Sequence, residues 1–435
     1  MKTIVPNKTY SLILVSLLFC TFYTAPLFSY CPIRFSDIGC AILLYLSYKQ
    51  YPKIKTSNNS KVALALIIWG IIDGVILLQN PYFSIINHIT QLIRLTFAVL
   101  TFCYLPNLLR NINIIKVYAI IKTVILIHVW IQIIYFILYH IGFSMLFNVL
   151  KSYEDRTEIA QHNYLFFNHF ILVNIASGYP RFSGLFEEPA WFGWTLNLLV
   201  ALVLQFQILY KIPIFTKKDL LTIILAFSFT FSFSSLFSLI LIFTLYYIVK
   251  KKLNLLQICI FCIVGVSFLI AFIYISNESF YLRFLNIIDG SDGSSNSRLI
   301  GSWNSFITTL YNDPWFGYGL GDDNKTTYFK NLSDNNILGI SIGGTPILDM
   351  HNMLFQITGN LGLLGGLLFI SLLRGLSFKR TPIILISFIL TFFSVNVYNN
   401  YFYFIALAIA IYSFKLHTTK HKSYDSQNNT LLLVK

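Results

Sequence analysis

A chain of 435 residues that is 56% hydrophobic and only 11% charged has too little polar surface for a soluble protein, which places it in a membrane. Its formal net charge of +14 lies between apolar runs and not along one stripe, which argues against a nucleic-acid footprint. The connections expected on the inner face are short and basic, with no phosphate-binding loop, no dinucleotide fingerprint and no fixed-period repeat, so no nucleotide-driven domain is expected there.

Crossing about 30 Å of hydrocarbon takes roughly 20 apolar residues in a helix. Candidate spans in chain order are 10–29, 37–48, 62–79, 91–109, 117–139, 190–210, 220–233, 235–249, 255–275, 352–373, 382–397 and 400–414. They predict an all-α polytopic membrane protein of about twelve helices, with 1–435 as one integral membrane domain. The first run follows Lys2 and Lys8 like a signal peptide, but its length and the Ala25-Pro26 pair predict an uncleaved helix. Residues 220–249 are too long for one crossing and read as two short spans joined at Phe233-Ser234-Ser235. Cys20, Cys31, Cys40, Cys103, Cys259 and Cys262 sit mostly in apolar runs and read as inert small hydrophobes, the CxxC at 259–262 included.

Lysine and arginine give an independent check on these spans. With the N-terminus inside, 21 of the 31 fall in inner segments and 8 in outer ones, while Arg94 and Lys122 lie within spans. Merging any two spans would scramble this alternation. Both termini are therefore expected in the cytoplasm, with 415–435 as a basic cytoplasmic tail. Two outer loops stand out, at 140–189 and 276–351, the second being the main periplasmic loop. The first contains an apolar stretch that could lie along the membrane, and the second carries the turn-rich tract DGSDGSSNS at 289–297.

Three outer segments carry residues fit for chemistry. The first runs from Arg181 through Gly184, Glu187 and Glu188 to Pro189, just before a span. Pro189 suits a first helical turn, and Glu187 and Glu188 suit its positive end, so a capped helix start explains the segment as well as a site does. The second holds Arg298, then Asn312-Asp313-Pro314-Trp315-Phe316-Gly317-Tyr318-Gly319-Leu320-Gly321. Three alternate glycines allow positive φ and close approach, either to a ligand or to the bundle in a rigid packed loop. The third is His351-Asn352 at the mouth of the next span. A histidine there can act as a general base or as a structural hydrogen-bonding group. Arg156 and Lys325 lie in the same loops outside these motifs. No metal site is expected: His162 and His169 are seven apart, no carboxylate completes a set, and Asp322-Asp323 reads as a solvated turn.

Taken together, the three segments resemble the O-antigen polymerase and ligase superfamily of membrane glycosyltransferases. The resemblance rests on Arg181, Gly184 and Pro189, on Arg298, Pro314, Gly317, Gly319 and Gly321, and on His351 and Asn352 with Gly362 and Gly365 downstream. It covers roughly residues 180–375. Two positions depart from the family pattern: Asn360 stands where an acidic residue is frequent, and Ser234-Ser235 is followed by Leu236 and not by a cation. Arg94, inside a span beside Gln91, could supply the missing charge.

The resemblance implies a GT-C-like helical bundle in the bacterial inner membrane. It implies a glycosyl transfer that joins oligosaccharide repeat units carried on undecaprenyl diphosphate at the periplasmic face. Arg181 and Arg298 would hold the diphosphate, with Arg94, Asn352, Gly317 and Gly319 also on the substrate side. His351 would be the base, with Glu187 and Glu188 as rivals. No cofactor is implied, and the partners would be membrane lipid and a chain-length regulator protein. An O-antigen ligase acting on lipid A core remains open from the same residues. A lipid-linked-sugar flippase is the reading from another class, although the chain lacks the two related halves that such a transporter would show.

Overall fold

The computed structural model describes residues 6–22, 33–53, 57–150, 172–174, 180–186, 188–251, 257, 267, 285–286, 301–334, 352–378, 380–392 and 401–432. The elements are helices α1 (Asn7–Thr21), α2 (Phe35–Gln50), α3 (Asn58–Leu77), α4 (Ile85–Asn111), α5 (Ile114–His140), α6 (Pro189–Tyr210), α7 (Lys217–Ser228), α8 (Phe233–Lys251), α9 (Ser302–Asn312), α10 (Asp322–Asp334), α11 (Met353–Ser371), α12 (Pro382–Phe392) and α13 (Tyr401–Leu432). The chain is a mostly helical, multi-pass membrane protein, as its composition requires.

Seven of the described helices are long and apolar enough to cross a membrane: Asn58–Leu77, Ile85–Asn111, Ile114–His140, Pro189–Tyr210, Ser234–Lys251, Met353–Gly375 and Tyr401–Thr418. This falls short of the expected twelve. The expected spans at 10–29, 37–48, 220–233 and 382–397 correspond to helices of 15, 16, 12 and 11 residues. At about 1.5 Å per residue, twelve residues reach about 18 Å, well under the hydrocarbon thickness. The expected span 255–275 lies outside the described residues.

The stretch 217–251 does divide into two helices, but a few residues earlier than the sequence suggests. The break falls at Phe229–Ser232, where Phe231 takes a positive φ of 45°. Between α5 and α6, three short strands depart from a purely helical chain. Asn148–Leu150 (β1) pairs in parallel with Leu172–Asn174 (β2), which pairs antiparallel with Arg181–Phe182 (β3). The last helix continues to Leu432, through most of the segment expected as a tail.

Helix α6 is the axis of the bundle. Every residue from Pro189 to Phe206 except Trp191 is buried, against α5, α8, α12 and α13. Helices α3, α4 and α5 instead show large apolar side chains such as Ile68, Ile86 and Ile134 on their outer faces, as lipid contact demands. Lys122, which the sequence places within a span, reaches a partner at the bundle's edge. Its ammonium lies 2.6 Å from a carboxylate oxygen of Asp219 and donates to the Ile214 carbonyl, which accounts for a charge at that depth.

Candidate functional site

The first motif is a short strand and turn laid across α5. Gln132 donates from Nε2 to the Phe182 carbonyl at 2.8 Å, while Phe182 N–H donates to Phe229 O in the break between α7 and α8. Phe136 stacks on Phe229 at 3.7 Å and sets Phe182 edge-on. Gly184 takes φ +56° directly over the α5 backbone, where a β-carbon would come within 3.6 Å of the His128 carbonyl. His128 is fully buried one turn before Gln132, between the rings of Phe22 and Phe186, with Nε2 2.9 Å from Thr21 Oγ1. Thr21 already donates its hydroxyl to Leu18 O, so the imidazole carries its proton on Nε2.

Arg181 leads this turn with a half-buried side chain and a buried Nε. Pro189 is the first residue of α6 and Glu188 its N-cap, as the sequence suggests, but the Glu188 side chain forms no cap hydrogen bond. Behind it, Gly193 lets α8 approach until a β-carbon would sit 1.8 Å from Ser235 Oγ, and Asn197 donates to the Ser235 carbonyl at 3.0 Å.

The second motif closes on the third. All three glycines of the turn have positive φ: +67° at Gly317, +84° at Gly319 and +112° at Gly321. Their freedom is used inside the protein. A β-carbon on Gly317 would meet Gly359 O at 2.0 Å, and one on Gly319 would meet the Phe83 ring at 2.5 Å. The close approach is therefore to the bundle, the second of the two options that the sequence leaves.

What the turn packs against is a break in α11. Gly362 has φ 66° and ψ −175°, so the helix stops and restarts there. The freed backbone groups find partners one by one. Tyr318 N–H donates to Gly359 O at 2.9 Å, Gly319 N–H to Asn360 O at 3.0 Å, and Trp69 Nε1–H to Leu361 O at 2.8 Å. From the second half, Leu363 N–H donates to Pro314 O at 2.9 Å.

The α3–α4 hairpin grips the other side of the turn. His88 accepts from Leu320 N–H at Nδ1 (3.1 Å), so its Nε2 carries the hydrogen that bonds Gly70 O at 2.9 Å. Asn324 of α10 pairs with both backbone groups of Ser84, and Asn87 donates to Asp323. Asp323 is exposed, as expected, but it stands in the first turn of α10 and accepts from Asn87 across elements. Tyr328 donates to Asp313 at 2.8 Å; burial, and then the Asp313 carboxylate beside it, push the phenol well above its ordinary pKa.

Asn352 is the N-cap of α11, 1% exposed, its Oδ1 accepting from Leu354 N–H and Phe355 N–H. Its carbonyl is spent on the helix, which fixes the chain directly after His351. Arg94 lies within electrostatic reach of Tyr401, whose hydroxyl bonds Asp37 at 2.6 Å. Glu187, Arg298 and His351 lie outside the described residues. No group of three histidine, cysteine or acidic side chains occurs among the described residues, and Cys20, Cys40 and Cys103 are buried free thiols.

With the turn, the break in α11 and the paired short helices in view, one comparison bears on all of them. Residues 220–370 match the family model described as O-Antigen ligase. The matched segment holds α7 after its first three residues, α8 to α10, the glycine turn and the break in α11, about a third of the chain, and agrees with the superfamily that the motifs resemble. That family covers O-antigen polymerases and ligases, membrane enzymes of glycosyltransferase type, without separating the two. Arg181 lies outside the match and is tied to it by the Phe182–Phe229 hydrogen bond. No curated protein matches the chain.

Sequence reasoning missed His88, Gln132, His128, Trp69 and Asp73. All but His88 are polar or amphipathic residues in apolar runs, and an isolated carboxylate in LIIWGIIDGVIL was the signal available for Asp73.

Proposed function

We propose that this chain is an O-antigen polymerase that joins oligosaccharide repeat units carried on undecaprenyl diphosphate at the periplasmic face of the inner membrane. The family match over 220–370, with the Arg181 turn packed against the start of that region, is the observation that carries it. In this reading the growing chain moves to a hydroxyl of a second lipid-linked unit. The bond from the sugar carbon to the donor's diphosphate breaks, a glycosidic bond forms, and the hydroxyl proton passes to a base. Arg181 and Arg298 stabilise the charge that develops on the diphosphate, because a guanidinium fork pairs two phosphate oxygens at once. His351, fixed beside the Asn352 cap, takes the proton, with Glu188 and Glu187 next in line. Arg94, inside a span, is a further cation on the substrate side. Gly317, Gly319 and Asn352 shape the site through the backbone. In this reading both termini lie in the cytoplasm and 276–351 in the periplasm, where a chain-length regulator would also dock.

The matched family's name, O-Antigen ligase, favours a second reading, transfer of finished polymer to lipid A core. Deleting the gene separates the two. A polymerase deletion leaves a surface glycan of one repeat unit on intact core. Bare core with polymer accumulating on its lipid carrier identifies the ligase, and unflipped repeat units accumulating inside identify a transporter.

A further inference from the structure

Asp73 lies inside α3 and is 0% exposed. Neither of its carboxylate oxygens receives a hydrogen bond among the described residues. Burying a bare carboxylate costs several kcal/mol even after relaxation, and ionisable residues in spans mark ion or proton sites more often than packing accidents. Its position is fixed by its neighbours on the helix. Trp69 and Leu77, four residues either way, share its stripe. The Trp69 indole donates to Leu361 O at 2.8 Å and stacks on Phe316 at 5.5 Å. Leu77 Cδ1 comes to 3.2 Å from the β-carbon position of Gly319. Asp73, between them, faces the same turn and the same break in α11.

The first half of α11 ends there on the carbonyls of Gly359, Asn360 and Leu361, the negative end of its dipole. A carboxylate and a helix C-terminus therefore meet on one face, and among the described residues the side chains around them supply no charge to balance the pair. Helix α11 carries no titratable side chain. From α4, His88 touches Gly70 and Gly74, but its Nδ1 already accepts from Leu320 N–H, so a second proton would break that bond. Arg94 acts on Tyr401, and Arg110, near the far end of α4, acts on Tyr412. Arg374 lies beyond the opposite end of α11. In the turn, Asp313 is engaged by Tyr328, and Tyr318, like Asp313, brings no positive charge.

We propose that Asp73 binds a single monovalent cation, a proton or a sodium ion, at the break in α11. One carboxylate, without a second acidic partner among the described residues, suits one charge and not a divalent metal. Half-helix ends and broken-helix carbonyls are the usual membrane setting for such ions. Neutralised, Asp73 lets the turn and the helix end stay together; bare, it repels the carbonyls that the turn must reach. The inference is independent of which glycan reaction the chain performs.

The test compares wild type with Asp73→Asn, whose amide keeps the shape and holds no cation. Thermal unfolding of the purified full-length protein is followed in sodium, potassium and choline chloride at equal ionic strength, from mildly acidic to mildly alkaline pH. A wild-type Tm that rises with sodium over choline, and does not in D73N, supports sodium. A wild-type Tm that falls with pH more than that of D73N, with sodium indifferent, supports the proton. Equal responses of the two proteins to both variables overturn the proposal. Should D73N fail to fold, a hydrophobic carbodiimide tests the wild type directly, since it adds to a protonated buried carboxyl to give an N-acylurea. Protection of the Asp73 peptide by sodium, or by alkaline pH, supports the corresponding cation; a yield that neither changes overturns the proposal.

Discussion

A β-carbon on Gly362 would lie 1.8 Å from the carbonyl oxygen of Trp315. The glycine turn and helix α11 are in backbone contact at that point, with no room for a methyl group between them.

Gly362→Ala is accordingly expected to be severe. The backbone conformation of Gly362 alone costs another residue about 1–3 kcal/mol. The clash would also part the turn from the helix and endanger three turn-to-helix backbone hydrogen bonds, at about 1 kcal/mol each. Gly366→Ala makes a matched comparison, because its β-carbon meets the rotatable Thr358 hydroxyl and not backbone. Thermal unfolding in detergent should place Gly362→Ala well below Gly366→Ala; equal losses would mean that the break is not rigid.

Gly193 and Ser235 should behave as a coupled pair. Gly193→Ala drives a methyl into the Ser235 side chain, and Ser235→Gly clears that space at the cost of its hydrogen bond to Ser232. A double-mutant cycle on stability is expected to show a coupling of about 1–3 kcal/mol, with the double variant more stable than Gly193→Ala alone. Additive losses would contradict the contact between α6 and α8.

For the chemistry, Arg181→Lys is expected to lose polymer nearly as completely as Arg181→Ala, by about a hundredfold or more, since a point charge does not replace a fork. His351→Ala should abolish chain growth at normal membrane levels of protein. Lys325, a bystander by sequence, is only 8% exposed and makes a poor control; Lys330, exposed on the same helix, makes a sound one. Normal polymer from His351→Ala, read on glycan gels, would shift the base to Glu188 or Glu187. Equal damage from Lys330→Ala would dissolve the site into a diffuse basic surface.

Topology is checked with reporter fusions. Ser57 and Lys420 should report cytoplasm and Ser295 periplasm; a periplasmic signal at Lys420 would leave an odd number of crossings and remove the twelve-span arrangement.

The parts legible in the sequence were those written in repeated residues. Apolar runs located the long helices, the length of 217–251 required a break, Pro189 announced the start of α6, and the alternate glycines at 317, 319 and 321 announced positive φ. The break at Gly362 was not legible, because hydropathy averaged over 352–373 is blind to one residue's dihedral angles. Nor was the glycines' partner, since whether a close approach serves a ligand or the bundle depends on a segment some forty residues away. His88 and Gln132 were hidden for a related reason: each binds a distant backbone group that nothing in its own stretch of sequence announces.

Because Pro314, Tyr318 and Gly319 supply the hydrogen bonds that Leu363, Gly359 and Asn360 lack, the span from Met353 onward is not complete within its own stretch of chain. Its missing piece is carried by an extramembrane loop. A protease that nicked the loop between residues 313 and 321 would cut no helix by sequence, yet it would release the clasp that holds two half-helices in one line.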